Sequence, residues 1–125
     1  MSDKSPDRGD QPTPTPNDSR SVHDMVLEDI DVLTPTRGAE LKALVVQRKA
    51  LGLSRYGTVL QANNGRDALG DGIDEVADLV CYLRQWLEEQ ELRGMEATVT
   101  WGTARYHEAL ELAVSLVRAR AVTGV

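Results

Sequence analysis

The sequence has very little of what several protein classes require. It contains one cysteine and no phenylalanine, and its aromatic content is 4%. A single cysteine excludes an internal disulfide framework and fits a reducing compartment. No apolar run approaches the roughly 20 residues that span a membrane, and the N-terminus lacks the apolar core of a secretion signal. We therefore expect a cytoplasmic protein with no membrane partner.

Basic residues are also too few to dominate the surface. The chain has 14 Lys and Arg against 20 Asp and Glu, which gives a net charge of −6 at pH 7. Nonspecific binding to nucleic acids or to anionic membranes needs a basic surface. We therefore expect no nucleic-acid partner.

The residues that are present favour one helical domain. Hydrophobic residues make up 41% of the 125 positions and are mostly Leu, Val and Ala, which suit packed helices. A chain of this length buries one ordinary core. The expected fold is all-α, a bundle of three to five helices over residues 22–125. Four of the five prolines lie within the first 16 residues, among polar side chains, and predict a disordered Pro-rich tail over residues 1–21.

Helical periodicity and stop signals divide the rest of the chain. The predicted helices span residues 39–51, 67–91 and 104–121. Gly52 is the predicted stop of the first, and Asn64 or Asp67 the cap of the second. Residues 22–33 are expected to form either a short helix or an arm docked on the core. Residues 90–103 are expected to form a looser connection, and some of their side chains favour β-strands.

Carboxylates recur at three- and four-residue steps along the predicted helix 67–91, which places them on one face. They are Asp67, Asp71, Asp74, Glu75 and Asp78. In water such a face is simply solvated, whereas out of water the crowded charges demand a cation. No basic residue compensates the charge until Arg84, and Leu79, Tyr82 and Trp86 flank the later turns. An acidic stripe with an apolar border indicates an internal site.

Carboxylates are hard oxygen ligands that suit Mg²⁺, which proteins commonly hold by a few carboxylates together with substrate phosphates and waters. Glu75 and Asp78, three residues apart, are the natural pair. Asp71 and Asp74, one turn earlier, are further metal ligands or water-positioning bases. A cation held there neutralises a triphosphate and lowers the pKa of an attacking water.

Other chemistry-bearing residues have simpler expectations. Arg48 falls within an apolar stripe of the helix 39–51, where its guanidinium must snorkel to water or meet a carboxylate or a phosphate. His23 and His107 are expected to face solvent. Cys81, inside an apolar helical run, is expected to be a small buried hydrophobe.

Three motifs resemble a known family. They are Glu75-Val-Ala-Asp78-Leu-Val-Cys-Tyr82-Leu, Lys49-Ala-Leu-Gly-Leu-Ser-Arg55-Tyr56-Gly57 and Asn64-Gly65-Arg66-Asp67-Ala68-Leu69. The first resembles the second acidic motif of the MazG-like all-alpha nucleoside triphosphate pyrophosphohydrolases, and the other two resemble the small versions found in phage genomes. The resemblance covers about residues 38–118.

The resemblance implies an all-α fold that assembles as a dimer or tetramer. It also implies hydrolysis of an NTP or dNTP to the monophosphate and pyrophosphate, dependent on Mg²⁺ or Mn²⁺, in the cytoplasm of the cell or of a phage host. Glu75 and Asp78 would be the catalytic metal ligands. The substrate contacts that the resemblance implies are Arg55, Tyr56 and Arg66. Arg48 and Asn64 are further candidates for binding the substrate.

The chain departs from the family at one motif. Typical members carry Glu-Glu-x-x-Glu on the preceding helix, where this sequence has only Glu40. The remaining ligands would come from Asp71 and Asp74, from Glu28 and Asp31, from Glu108 and Glu111, or from a second subunit. The alternatives are a degenerate site in a noncatalytic module of this fold that binds a protein or a nucleotide, and a purely structural oligomerisation domain.

Overall fold

In the computed structural model, which describes residues 11–123, the chain is all-α. The helices are α1 Val22–Leu33, α2 Ala39–Tyr56, α3 Ala68–Leu92 and α4 Glu96–Thr123, and the described residues contain no strand. The expected fold class is confirmed at this level. The chain divides after Arg66 into two compact units, residues 11–66 with α1 and α2 and residues 67–123 with α3 and α4.

In the unit of residues 11–66, α1 packs on α2. Ser21 caps α1, since its hydroxyl accepts from the Asp24 N–H at 3.3 Å. Ile30 is the buried apolar residue of α1, and a Cβ on Gly38 would collide with its side chain. The sequence was compatible with a helix or an arm at residues 22–33, and in the structure these residues form a helix.

Helix α2 runs past its predicted stop. Gly52 lies inside the helix, and the cap that ends α2 is Gly57. Gly57 has a left-handed φ of 72°, and its N–H donates a hydrogen bond to the Leu53 carbonyl. Gly57 rather than Gly52 therefore supplies the C-terminal glycine signal. None of the described residues of α2 is buried, so its apolar side chains are only partly covered.

In the unit of residues 67–123, α3 packs on α4. Asp67 caps α3 by accepting the Gly70 N–H at 2.9 Å, as predicted for one of the two cap candidates. Gly94, at φ 70°, reverses the chain, and α4 begins at Glu96, eight residues before its predicted start. The β-leaning residues 98–101 are helical. Across the pair, Leu87 is buried beside Gly102, and the rings of Trp86 and Trp101 meet edge to face at 6.3 Å.

The predicted tail falls in two parts. Residues 1–10 lie outside the described residues. Residues 12–21 make hydrogen bonds to the loop that follows α2, and Ser21 forms an isolated antiparallel bridge with Gln61. These bonds join positions that are about 40 or more residues apart, so no local pattern in the sequence reveals them.

Candidate functional site

The carboxylate face occupies one side of α3. Asp71, Asp74 and Asp78 are half-buried and Glu75 is exposed. Leu87, one of the residues of α3 that meet α4, lies on the opposite side of the helix at 100° per residue. Asp67, at the start of the face, also accepts a hydrogen bond from Arg120 of α4 at 2.5 Å.

The acidity of the chain is concentrated in this unit. Residues 67–123 carry eleven Asp and Glu against five Arg, whereas residues 11–66 carry six acidic against seven basic side chains. A polyanion approaching α3 therefore meets a repulsive field unless a cation intervenes.

The donors suit Mg²⁺ in type but are few in number. Within residues 11–123, no three His, Cys, Asp or Glu side chains form a group that could hold a metal ion. Mg²⁺ is usually bound through one or two carboxylates, with waters and substrate phosphates completing its shell. Glu75 and Asp78 fit that kind of site and do not fit an all-protein cage.

The apolar border of the face is more open than an internal site requires. Leu79 and Tyr82 expose 44% and 60% of their surface, while Trp86 packs on Trp101. Cys81 is exposed and free, so the expectation of a buried cysteine is wrong. The apolar run around Cys81 extends over more of the circumference of α3 than α4 covers.

Three of the other acidic residues considered as ligands form ion pairs at the surface of their own units. Glu28 pairs with Arg20 at 2.8 Å, and Asp31 pairs with Lys42 at 2.6 Å. Glu108 accepts two hydrogen bonds from the Arg105 guanidinium, both at 2.8 Å. Glu40 and Glu111 are exposed. None of these side chains joins a metal-holding group within the described residues.

The basic residues proposed for substrate lie on α2 and on the loop of residues 58–66. Arg48 and Arg55 are exposed on α2, seven residues apart and therefore on one side of the helix. Because Arg48 is exposed, its side chain reaches the surface from the apolar stripe. Tyr56 is the last residue of α2 and is 39% exposed.

The remaining two substrate candidates lie in a tightly bonded turn. Asn64 is buried, and its Oδ1 accepts the Arg66 backbone N–H at 3.0 Å. The turn needs left-handed backbone at Asn63 and Gly65, with φ of 56° and 87°. Asn and Gly are the residues that adopt this conformation most readily.

The N-terminal segment contacts these same residues. The Arg66 Nη1 donates to the Pro12 carbonyl at 2.9 Å, and the Thr15 N–H donates to the Asn64 carbonyl at 2.8 Å. Gln61 is buried and also bonds this segment. Sequence reasoning missed Gln61, because a lone glutamine in a loop carries no signal of a distant partner.

His23 differs from its expectation. It is half-buried on α1, and within the described residues its Nδ1 is buried without a hydrogen-bond partner. Burial, together with the positive charges of Lys49 and Arg48, lowers the pKa of His23 below 6.5, and Asp24 partly offsets this. His107 is exposed, as expected.

Among the described residues, none of the helices combines the length and the apolar character that crossing a bilayer requires. Comparison of the chain with models of known protein families, with curated proteins and with solved structures finds no match.

Proposed function

We propose that this protein is a metal-dependent nucleoside triphosphate pyrophosphohydrolase of the MazG-like kind, which converts a (d)NTP to the (d)NMP and pyrophosphate and so controls a nucleotide pool. One observation carries the proposal: four carboxylates, Asp71, Asp74, Glu75 and Asp78, share one side of a single helix, and three of them are half-buried. The resemblance of residues 75–83 to an acidic motif of that family adds to it.

The charge distribution also supports a requirement for a divalent cation. A triphosphate would be repelled by the acidic unit that contains α3, because that unit carries a large excess of Asp and Glu. Glu75 and Asp78 would hold Mg²⁺ or Mn²⁺, which when bound neutralises phosphate charge and acidifies a coordinated water. Activity is therefore expected to be lost in a chelator and restored by either ion.

The substrate candidates of residues 11–66 have chemistry that suits a nucleotide. The guanidinium forks of Arg48, Arg55 and Arg66 suit phosphate oxygens. Tyr56 and Asn64 suit the nucleoside part or a phosphate.

The bond changes follow from the products. A water forms a bond to the α-phosphorus, the bond from that phosphorus to the bridging oxygen breaks, and pyrophosphate leaves. Asp71 or Asp74 takes the proton of the water.

The experiment is pyrophosphate release from a panel of NTPs and dNTPs with Mg²⁺ and with Mn²⁺. Glu75→Gln combined with Asp78→Asn is expected to lower turnover by about 10²-fold or more, since it removes charge without changing shape. Glu91→Gln, an exposed change on the same helix, is the matched control and should keep wild-type turnover. Full activity of the double variant would overturn the assignment.

A noncatalytic module that binds a protein or nucleotide is the second candidate. It is favoured by the exposed large apolar side chains of residues 67–123: Leu79, Tyr82, Leu92, Met95, Trp101, Leu112, Val114, Val117 and Val122. Such surfaces mark interaction sites. Folded wild-type protein that turns over no nucleotide and binds no divalent ion would favour this function.

A further inference from the structure

Asn64 and Gly65 form a pair that is chemically reactive in an unfolded chain. The side-chain amide of an asparagine is lost when the backbone nitrogen of the next residue attacks Cγ, and a following glycine, which has no Cβ, hinders this attack least. Asn63 is followed by Asn64, whose side chain crowds the same approach. Of these two neighbouring asparagines, Asn64 therefore has the higher intrinsic reactivity.

The folded turn opposes this reaction. The Asn64 Oδ1 accepts the Arg66 backbone N–H at 3.0 Å, and the Asn64 carbonyl accepts the Thr15 N–H at 2.8 Å. The first bond restrains the side chain, and the second restrains the peptide plane that contains the Gly65 nitrogen. A bond between this nitrogen and the Asn64 Cγ requires both to rotate. Asn64 is also only 6% exposed, so its Cγ has little access to water.

The restraint on the Asn64 carbonyl comes from residues 12–19, called the strap below, which lie along the loop of residues 58–66. Gln61 holds the strap on this loop. Its Oε1 accepts the Asn17 N–H at 3.1 Å, and its Nε2 donates to the carbonyls of Asn17 and Ser19 at 2.6 and 2.7 Å. Gln61 is 8% exposed, so its amide depends on these partners.

The Asn17 side chain bonds the loop in the other direction. Its Nδ2 donates to the carbonyls of Ala62 and Asn63 at 3.0 and 3.2 Å. The strap and the loop are therefore joined by reciprocal amide bonds directly before Asn64. These bonds open together when the strap leaves the loop, and Asn64 is then released with them.

We propose that Asn64 is a protected deamidation site, which loses its side-chain amide only in molecules whose strap has left the loop. The Gly65 nitrogen forms a bond to the Asn64 Cγ, the Cγ–Nδ2 bond breaks, and ammonia leaves with the proton of the Gly65 N–H. Water then opens the cyclic imide at either carbonyl and leaves an aspartyl or an isoaspartyl residue. This inference does not depend on the proposed hydrolase activity.

The modification favours the open strap. Either product replaces a neutral amide by a carboxylate at position 64, which is buried when the strap is closed. Burial of a new charge is unfavourable. We therefore expect each modified molecule to keep its strap open for a larger fraction of the time than the unmodified protein does.

The first experiment compares folded and urea-unfolded full-length protein at mildly alkaline pH. Trypsin cleaves after Arg55 and Arg66, so the peptide of residues 56–66 carries both Asn63 and Asn64, and tandem mass spectrometry separates them. Asn64 is expected to be modified at least about tenfold more slowly in the folded protein, since only the open fraction reacts. Asn63 is the internal control and should be modified more slowly than Asn64 in urea.

Thr15→Pro tests the role of the strap. It deletes the N–H that bonds the Asn64 carbonyl, while Pro14 and Pro16 already require extended backbone at this place. Loss of this hydrogen bond is expected to accelerate modification of Asn64 about fivefold in the folded protein and not in urea. Thr15→Ala keeps the N–H and is the matched control, with the wild-type rate.

Asn17→Ala is a second route to the same effect. It removes the Nδ2 donors, and residue 17 is exposed, so the fold tolerates the change. It is expected to accelerate modification of Asn64 in the same direction as Thr15→Pro. Asp18→Ala, at the exposed neighbouring position, should keep the wild-type rate.

Hydrogen exchange of the Thr15 amide measures strap opening without the covalent chemistry. Its protection factor is expected to agree with the ratio of the unfolded to the folded rate of modification, and to be lower in the modified fraction. Equal rates at Asn64 in folded and unfolded protein overturn the proposal. Wild-type rates in both Thr15→Pro and Asn17→Ala overturn it too, as does slow modification of Asn64 beside an unprotected Thr15 amide.

Discussion

At the scale of single residues, His23 is the group whose environment departs most from expectation. It is half-buried against α2, near the ammonium of Lys49, which itself pairs with Asp24 at 2.8 Å. The neutral imidazole is favoured because burial and the positive charges of Lys49 and Arg48 lower its pKa. The unfolded chain therefore binds a proton at His23 more readily than the folded chain does.

This difference predicts the sign of a pH effect. The contribution of His23 to the free energy of unfolding is fully present above pH 6.5 and is lost as the pH drops from 6.5 through the lowered pKa of His23. His23→Gln is expected to show a smaller loss of thermal midpoint between pH 7.5 and pH 5. His107→Gln, at the exposed histidine, should keep the wild-type slope. Identical slopes for wild type and His23→Gln would contradict the assignment.

Residue-scale prediction from sequence succeeded where the signal was local. Asp67 was one of two predicted caps and does accept the Gly70 N–H, because capping depends on residues three apart. Its second bond, to Arg120, joins positions 53 residues apart and was not predicted. The same holds for Gln61 and Asn17, whose bonds depend on how the chain folds back.

At the scale of helices, α3 was predicted best. The prediction of residues 67–91 lies within one residue of the observed Ala68–Leu92 at each end, since periodicity and a cap agreed. The predicted start of α4 was eight residues too late, because Gly102 and the residues 98–101 disfavour a helix locally. Packing overrides that preference, as Gly102 is the position where α4 approaches Trp86 and Leu87.

Two helical glycines offer a matched test of this reading. At Gly72 of α3, an added Cβ meets nothing within 4 Å, so Gly72→Ala is expected to raise the free energy of unfolding by about 0.5–1 kcal/mol. At Gly102, an added Cβ would lie 2.6 Å from Trp86 and 2.8 Å from Leu87. Gly102→Ala is expected to lower the free energy of unfolding by about 1–2 kcal/mol, despite its better helix propensity. Denaturant unfolding measures both, and a stabilised Gly102→Ala would show that the two side chains yield freely.

At the scale of the whole molecule, little of the apolar surface is fully covered. The buried hydrophobic residues among those described are Ile30, Leu87 and Ala109, whereas nineteen large ones are exposed. The composition predicted the helices but could not predict how many of their faces would find a partner within one chain. A further copy of the chain is a natural cover for such faces.

We therefore predict a homo-oligomer in solution. Light scattering during gel filtration is expected to give a mass that is a multiple of 13.7 kDa at micromolar concentration. Leu112→Asp with Val117→Asp, at two half-exposed positions of α4, should lower that mass towards the monomer. Ser115→Asp, at an exposed polar position between them, adds the same charge and should leave the mass unchanged. A wild-type protein of 13.7 kDa would rule this assembly out.

The edge-to-face contact of Trp86 with Trp101 has a practical consequence. The chain contains two tryptophans, and both lie in the α3–α4 unit. Their fluorescence reports the unfolding of residues 67–123 and is blind to α1 and α2, whereas circular dichroism records all four helices. If the two transitions coincide, the units unfold as one cooperative body; if they separate, the optical signals give the stability of each half without any labelling.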